Sequence, residues 1–123
     1  MTVTLGKPTS AWLANELDGN HRPSRENVVV AASQELTDGT VVSLNANGQA
    51  QIYAGATDEV AAGIFVGDAV TTGAGVTGAG VIVARTAKVV AENLTFKSGL
   101  ATAKQTAALA DLAKLHITTV RSA

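Results

Sequence analysis

Apolar and polar residues alternate in short runs through the middle of the chain, and turn signals separate the runs. The dipeptides Asp38-Gly39 and Asn47-Gly48 are typical of tight hairpin turns. The runs predicted to form strands are residues 27–32, 40–44, 49–53, 60–66 and 81–90. Their close spacing predicts a meander of hairpins, so the centre of the protein is expected to be rich in β-structure.

One helix is predicted near the C-terminus. Thr102 and Gln105 have the spacing of a capping box just before an apolar-periodic run, which places the helix start there. Three leucines of this run lie within about a 120° arc, and they are Leu109, Leu112 and Leu115. The helix is therefore expected to pack one face on the domain.

The helix is predicted to end at His116. A cation suits the last turn of a helix, and His adopts left-handed backbone more readily than β-branched residues do. Residues 117–121 then predict a closing strand. Strands followed by one helix and a last strand indicate a mainly β, or β-rich α+β, domain.

The first 24 residues differ from the rest of the chain. Thr2-Val3-Thr4-Leu5 alternates like a short strand, whereas Pro and Gly interrupt any longer element. We predict an extended arm over residues 1–24, followed by a β-rich domain over residues 25–123. The arm's other large apolar side chains are Trp12, Leu13 and Leu17. So short a segment cannot bury them against itself, so they pack either on their own domain or on another surface.

A glycine-rich segment over residues 67–85 contains Gly73, Gly75 and Gly78 in the G-x-G-x-x-G spacing of a dinucleotide-binding loop. That loop requires a helix directly after the glycines. Here the following residues are dense in β-branched side chains and predict a strand. The segment is therefore interpreted as a flexible turn between strands, and no cofactor is expected.

The composition limits the core and the partners. Apolar residues make up 46% of 123 residues, with one Trp, one Tyr and two Phe, so a subunit interface would add useful stability. The net charge is −1 without a basic run, so nucleic acid is not expected as a partner. No apolar stretch approaches the ~20 residues of a membrane span, and no signal-like pattern predicts general secretory export.

Side chains for catalysis or metal binding are sparse. His21 and His116 have no second ligand beside them, the serines form no nucleophile elbow, and there is no Cys. Asp58-Glu59 lies next to a turn, where paired carboxylates are more often solvated than catalytic. Neither an enzyme nor a metal site is predicted, although a nucleotide bound at residues 73–80 would reopen the first possibility.

A succession of segments resembles the lambda-type bacteriophage head decoration proteins. Residues 24–42, SRENVVVAASQELTDGTVV, resemble the segment that opens the folded part of that family. Residues 61–64 and 81–89 resemble its central strands, residues 103–115 its C-terminal helix and residues 117–121 its terminal strand. No single segment is diagnostic, but together they cover most of the chain in the right order.

The resemblance implies a β-clip-like, non-enzymatic homotrimer without a cofactor. Such a trimer binds the major capsid protein at three-fold positions on the outer surface of the expanded head, having been made in the bacterial host cytoplasm. In that family the arm is loose in solution and becomes ordered on the shell. The candidate capsid-binding residues are accordingly Thr2, Val3, Thr4, Leu5, Trp12, Leu13 and Leu17.

An alternative is a β-rich surface module that binds a glycan or a host receptor. Such a module would use aromatic platforms, of which this chain offers little beyond Trp12 and Tyr53.

Overall fold

Strands dominate the fold, and one α-helix follows near the end of the chain. The computed structural model describes residues 12–16, 24–56 and 59–120. In these ranges the strands are β1 Leu13–Glu16, β2 Arg25–Val30, β3 Glu35–Leu36, β4 Val41–Leu44, β5 Ala50–Ile52, β6 Ala61–Val66, β7 Val70–Thr71, β8 Gly78–Val83, β9 Ala87–Val90 and β10 Ile117–Val120. Helix α1 spans Thr102–Lys114, and Ala91–Asn93 form a short 3-10 helix. The prediction of a mainly β domain is confirmed.

Five of the strands close into a small barrel in the order β2-β5-β4-β6-β8. All neighbours in it are antiparallel except β2 and β5, which run parallel and meet only at Val30 and Ala50. Outside the barrel, β9 lies between β1 and β10, antiparallel to the first and parallel to the second. The hairpin β4–β5 confirms the turn predicted at Asn47-Gly48.

The barrel wall separates two hydrophobic cores because successive side chains of a strand point to opposite faces. Val42 of β4 and Phe65 of β6 belong to the core inside the barrel, whereas their neighbours Val41 and Ile64 belong to a second core outside it. The inner core consists of Val30, Leu36, Val42, Ala50, Phe65, Ile82 and Ala84. The outer core includes Trp12, Val89, Ala108, Leu112 and Ile117, so it joins the barrel to α1 and to the outer sheet.

The single strand predicted over residues 81–90 is wrong, because the structure has two strands there. β8 already begins at Gly78, and Thr86, with φ 44°, separates it from β9. This break moves the chain from the barrel into the outer sheet. The sequence pattern concealed it because both strands are rich in small and β-branched residues.

The predicted helix is confirmed, but the predicted capping box is wrong. Ala101 occupies the N-cap position with extended backbone, and no side chain caps the helix. Thr102 is therefore already the first helical residue. The Gln105 side-chain amide donates instead to the Leu100 carbonyl oxygen at 3.1 Å, which ties the helix to the preceding loop.

The packing face and the end of α1 agree with the sequence. Ala108 and Leu112 are buried, and Leu109 and Leu115 are partly buried against the outer core. His116 has φ 63°, which confirms the left-handed helix ending, and β10 follows directly.

Two of the glycines assigned to a flexible turn are in fact strand residues of β8, Gly78 and Gly80. A Cβ on Gly80 would lie 2.5 Å from Cε1 of Phe65, which is itself buried in the inner core. Close packing across the barrel therefore explains this glycine, because a larger residue would displace the aromatic ring.

We expect Gly80→Ala to lower the free energy of unfolding by about 1–3 kcal/mol through overpacking against Phe65. Urea unfolding followed by the fluorescence of the single tryptophan measures the change. Gly73→Ala is the matched control, because nothing lies within 4 Å of its added Cβ, and its effect should stay within about 0.5 kcal/mol. Equal stabilities of the two variants would contradict the packing explanation.

Candidate functional site

The point at which the N-terminal segment joins the domain is built around Trp12. Of the seven residues predicted to bind a capsid, only Trp12 and Leu13 lie within the described part of the chain. Trp12 is 0% exposed in the outer core, and Leu13 is half-buried against that core. Of the two alternatives, packing on their own domain or on another surface, the structure thus shows the first for Trp12 and Leu13. Binding of a capsid by these two residues stays a prediction.

The remaining predicted arm residues, Thr2, Val3, Thr4, Leu5 and Leu17, lie outside the described residues. The predicted arm over residues 1–24 accordingly stays a prediction for residues 1–11 and 17–23. Residues 13–16 form β1, which pairs with β9 in a register that sets Leu13 opposite Val89 and Glu16 opposite Ala87.

The turn at Asp38-Gly39 forms the seat of Trp12. The indole Nε1–H donates to Oδ1 of Asp38 at 2.6 Å, so the polar edge of the buried ring is satisfied. A Cβ on Gly39 would lie 2.9 Å from Trp12 Cδ1, and this residue has φ +94°, so both space and conformation favour glycine. Gly39 N–H donates to the Phe65 carbonyl oxygen at 2.8 Å, which attaches the seat to β6.

The turn at residues 73–77 connects two strands, as predicted. Gly73 and Gly75 lie in an exposed turn after β7, and Val76 N–H donates back to the Gly73 carbonyl oxygen at 3.2 Å. β8 follows the glycines where a dinucleotide loop would require a helix.

Glu59, from the acidic pair noted in the sequence, stabilises the loop that precedes β6. Its carboxylate accepts hydrogen bonds from the Ser43 hydroxyl and from the backbone N–H groups of Ala54 and Ala56. Burial raises the pKa of Glu59, but the hydrogen bonds from Ser43 and from the loop N–H groups outweigh it and lower the pKa below its ordinary value. The carboxylate therefore accepts hydrogen bonds that hold the backbone of its own loop in place.

A second carboxylate, Asp111 of α1, accepts the backbone N–H of Ala61 at 3.1 Å. Burial raises the pKa of the Tyr53 hydroxyl, and the charges of Asp111 and Glu59 raise it further. In residues 12–16, 24–56 and 59–120, no group of three or more acidic, His or Cys residues has the arrangement of a metal site. His21 and Asp58 lie outside these ranges.

A shallow groove lies at the end of the barrel where β2 and β6 begin and where β4 and β8 end. We call this groove, of about 800 Å³, the barrel mouth. The side chains that border it include Val29, Leu44, Val60, Glu26, Arg85 and Glu59. Nothing in the sequence pattern predicts the barrel mouth, because Val29 and Leu44 continue strands in which the adjacent Val30 and Ser43 are buried.

No helix within the described ranges is long and apolar enough to span a membrane.

The family model described as bacteriophage lambda head decoration protein D matches residues 2–117. The matched range includes the N-terminal segment, both cores and all of α1. The resemblance identified from the sequence is thus confirmed. Among curated proteins no match was found.

We expect Trp12→Ala to lower the free energy of unfolding by about 3–5 kcal/mol, because a fully buried aromatic side chain is removed. Trp12→Phe keeps most of the packing but loses the hydrogen bond to Asp38, so its cost should be smaller, about 1–3 kcal/mol. Urea unfolding followed by circular dichroism measures both variants. A Trp12→Ala variant within about 1 kcal/mol of the wild type would show that the indole is not packed in this seat.

We expect the contribution of Glu59 to stability to depend on pH. Because its pKa is lowered in the folded state, the stabilisation is fully present above the pKa of the unfolded chain, ordinarily 4.5 for Glu. It is lost as the pH falls through the folded pKa. Glu59→Gln should therefore be less stable than the wild type at pH 7, and the difference should shrink below pH 4.5.

Thermal melts from pH 7 to pH 3 measure this difference. Glu35→Gln is the control, because it removes the same charge from an exposed side chain of β3. A difference between wild type and Glu59→Gln that stays constant across this range would rule out the carboxylate as the stabilising form.

Proposed function

The chain belongs to the family of bacteriophage lambda head decoration protein D, and we propose on that basis that it binds as a homotrimer to the outer surface of the expanded phage head. As a head decoration protein it is a structural component of the phage capsid. We further propose that it sits at three-fold positions, contacts the major capsid protein and stabilises the shell.

The observation that carries this proposal is the extent of the family match, which begins at residue 2 and thus includes the segment before Trp12. Thr2-Val3-Thr4-Leu5 has the alternation of a strand that adds to an exposed sheet edge. Trp12 and β1 supply a fixed attachment point on the domain for this segment. In the proposed mechanism residues 2–11 become ordered on the shell while the domain stays unchanged.

The fixed attachment point has an energetic consequence. Ordering backbone costs roughly 1–2 kcal/mol per residue, and residues already held in β1 no longer contribute to that cost. One short arm alone binds weakly. Once one arm of a trimer is bound, the other two act at an effective concentration on the order of millimolar, and affinity rises by roughly 10²–10⁴.

The small net charge of the chain favours binding through apolar side chains and backbone hydrogen bonds. The net charge of −1 provides no strong electrostatic attraction to a shell, so apolar side chains and backbone hydrogen bonds have to supply the affinity.

The alternative of a glycan- or receptor-binding module loses support, since Trp12 is fully buried and Tyr53 is 2% exposed. Neither ring offers a platform to a ligand at the surface.

We expect deletion of residues 2–11 to abolish attachment to expanded heads while leaving the thermal stability of the domain unchanged. The deletion ends before Trp12 because removal of that residue would also damage the outer core. Cosedimentation with expanded heads that lack decoration protein measures attachment. Undiminished attachment would reject the role of the arm.

A pair of matched variants separates side-chain contacts from a general effect of charge. Val3→Asp with Leu5→Asp places two carboxylates on the apolar face of the alternating segment, whereas Thr2→Asp with Thr4→Asp places them on the polar face. The first pair should weaken cosedimentation far more than the second. Equal effects would show that the alternation does not determine binding.

A further inference from the structure

The barrel mouth concentrates the exposed aliphatic surface of the described residues. Four large hydrophobic side chains are exposed in these ranges, and three of them, Val29, Leu44 and Val60, border the barrel mouth. The fourth, Val76, lies in the turn between β7 and β8. Clustered exposed aliphatic side chains mark a contact surface, whereas single ones are ordinary.

Next to these side chains, β2 has a backbone edge that the described strands pair only at one end. β2 pairs with β8 along its whole length but with β5 only at Val30. The Ala84 N–H donates to the Ser24 carbonyl oxygen at 2.8 Å, which sets the phase of the ladder. Because alternate residues of an antiparallel strand face the same neighbour, the N–H groups of Asn27 and Val29 point away from β8.

On that opposite edge no described strand accepts a hydrogen bond from the N–H groups of Asn27 or Val29. An open edge of this kind is a template for contact with another polypeptide, because main-chain donors require acceptors. The barrel mouth therefore combines an apolar surface with directional backbone groups. This combination fits a protein partner better than a small apolar ligand.

We infer that the barrel mouth is the surface through which copies of this chain contact each other in the trimer. This inference rests on the proposed function and gives the contact between copies a place in the fold. A second copy fits the charges of this surface. Glu26 and Arg85, paired at 2.7 Å and about half-exposed, place both signs at the rim, so each copy brings a charge opposite to either of them.

Two further features favour a copy of the same chain. A net charge of −1 gives little repulsion between copies. Around a three-fold axis equivalent residues approach one another, which uncharged Val60 and Leu44 side chains tolerate and like charges would oppose. An aliphatic centre with a mixed-charge rim is thus compatible with contact between identical copies around a three-fold axis.

The test compares two substitutions whose wild-type residues have equal exposure. Val60 and Val76 are both 59% exposed, but only Val60 borders the barrel mouth. For full-length Val60→Asp we expect the dissociation constant of the trimer to rise about 30-fold or more, the loss typical of a central interface residue. Val76→Asp should leave it unchanged. Light scattering and native mass spectrometry over a dilution series measure both, and Leu44→Asp provides a second variant.

The possible outcomes separate this inference from the proposed function. A monomeric wild type would overturn the proposed trimer and with it the inference. A trimeric wild type with trimeric Val60→Asp and Leu44→Asp variants would overturn the assignment of the barrel mouth alone.

A measurement on the wild type decides the question if a variant fails to fold. Amide hydrogen exchange at Asn27 and Val29 should slow about tenfold or more when the protein is concentrated from monomer to trimer, because their N–H groups gain acceptors. The amide of Val76 should show no such change. Concentration-independent exchange at both Asn27 and Val29 would overturn the inference.

Discussion

Burial of one indole ring connects the N-terminal segment with the barrel and the outer sheet. Trp12 inserts between the barrel and the outer sheet, its Nε1–H is satisfied by Asp38, and its ring occupies the space left by the missing side chain of Gly39. The same glycine is hydrogen-bonded to β6. A substitution of Trp12 would therefore disturb the packing of both the N-terminal segment and the barrel.

The two cores share the strands of the barrel wall, so the packing of one core is coupled to the packing of the other. Val41 and Val42 of β4 face opposite cores, as do Ile64 and Phe65 of β6. Small closed barrels leave little free volume, which is why Gly80 approaches the ring of Phe65 so closely. A shift of β6 would disturb both cores at once, so the domain favours a single arrangement. A rigid body of this kind gives the N-terminal segment a fixed point of departure.

Local signals in the sequence predicted most elements of the fold. The hairpin at Asn47-Gly48, the single helix and its left-handed end at His116 follow from neighbouring residues, and the structure has all three. Two of the wrong predictions have long-range causes, whereas the capping box at Thr102 and Gln105 was a local error. The strand break at Thr86 and the place of Gly80 in β8 both depend on how the chain passes from the barrel to the outer sheet.

The candidate site was less predictable for the same reason. The sequence predicts that Trp12 needs a surface to pack on, but its seat comes from a turn 26 residues further along the chain. No pattern within the first 24 residues can distinguish that seat from a foreign surface. The barrel mouth was not predictable from the sequence, since nothing in the local pattern distinguishes the exposed Val29 from the buried Val30 beside it.

The two proposed contacts of this protein depend on each other energetically. In the proposed trimer each arm would contribute a small affinity of its own, and the gain of roughly 10²–10⁴ from multivalency would exist only while the three arms belong to one particle. Contact between copies through the barrel mouth would therefore determine how strongly the arms act, although Val60 and Leu44 themselves would contact no shell. The domain then meets two different requirements: Trp12 is buried in the outer core, whereas the barrel mouth would have to be exposed until a second copy covers it.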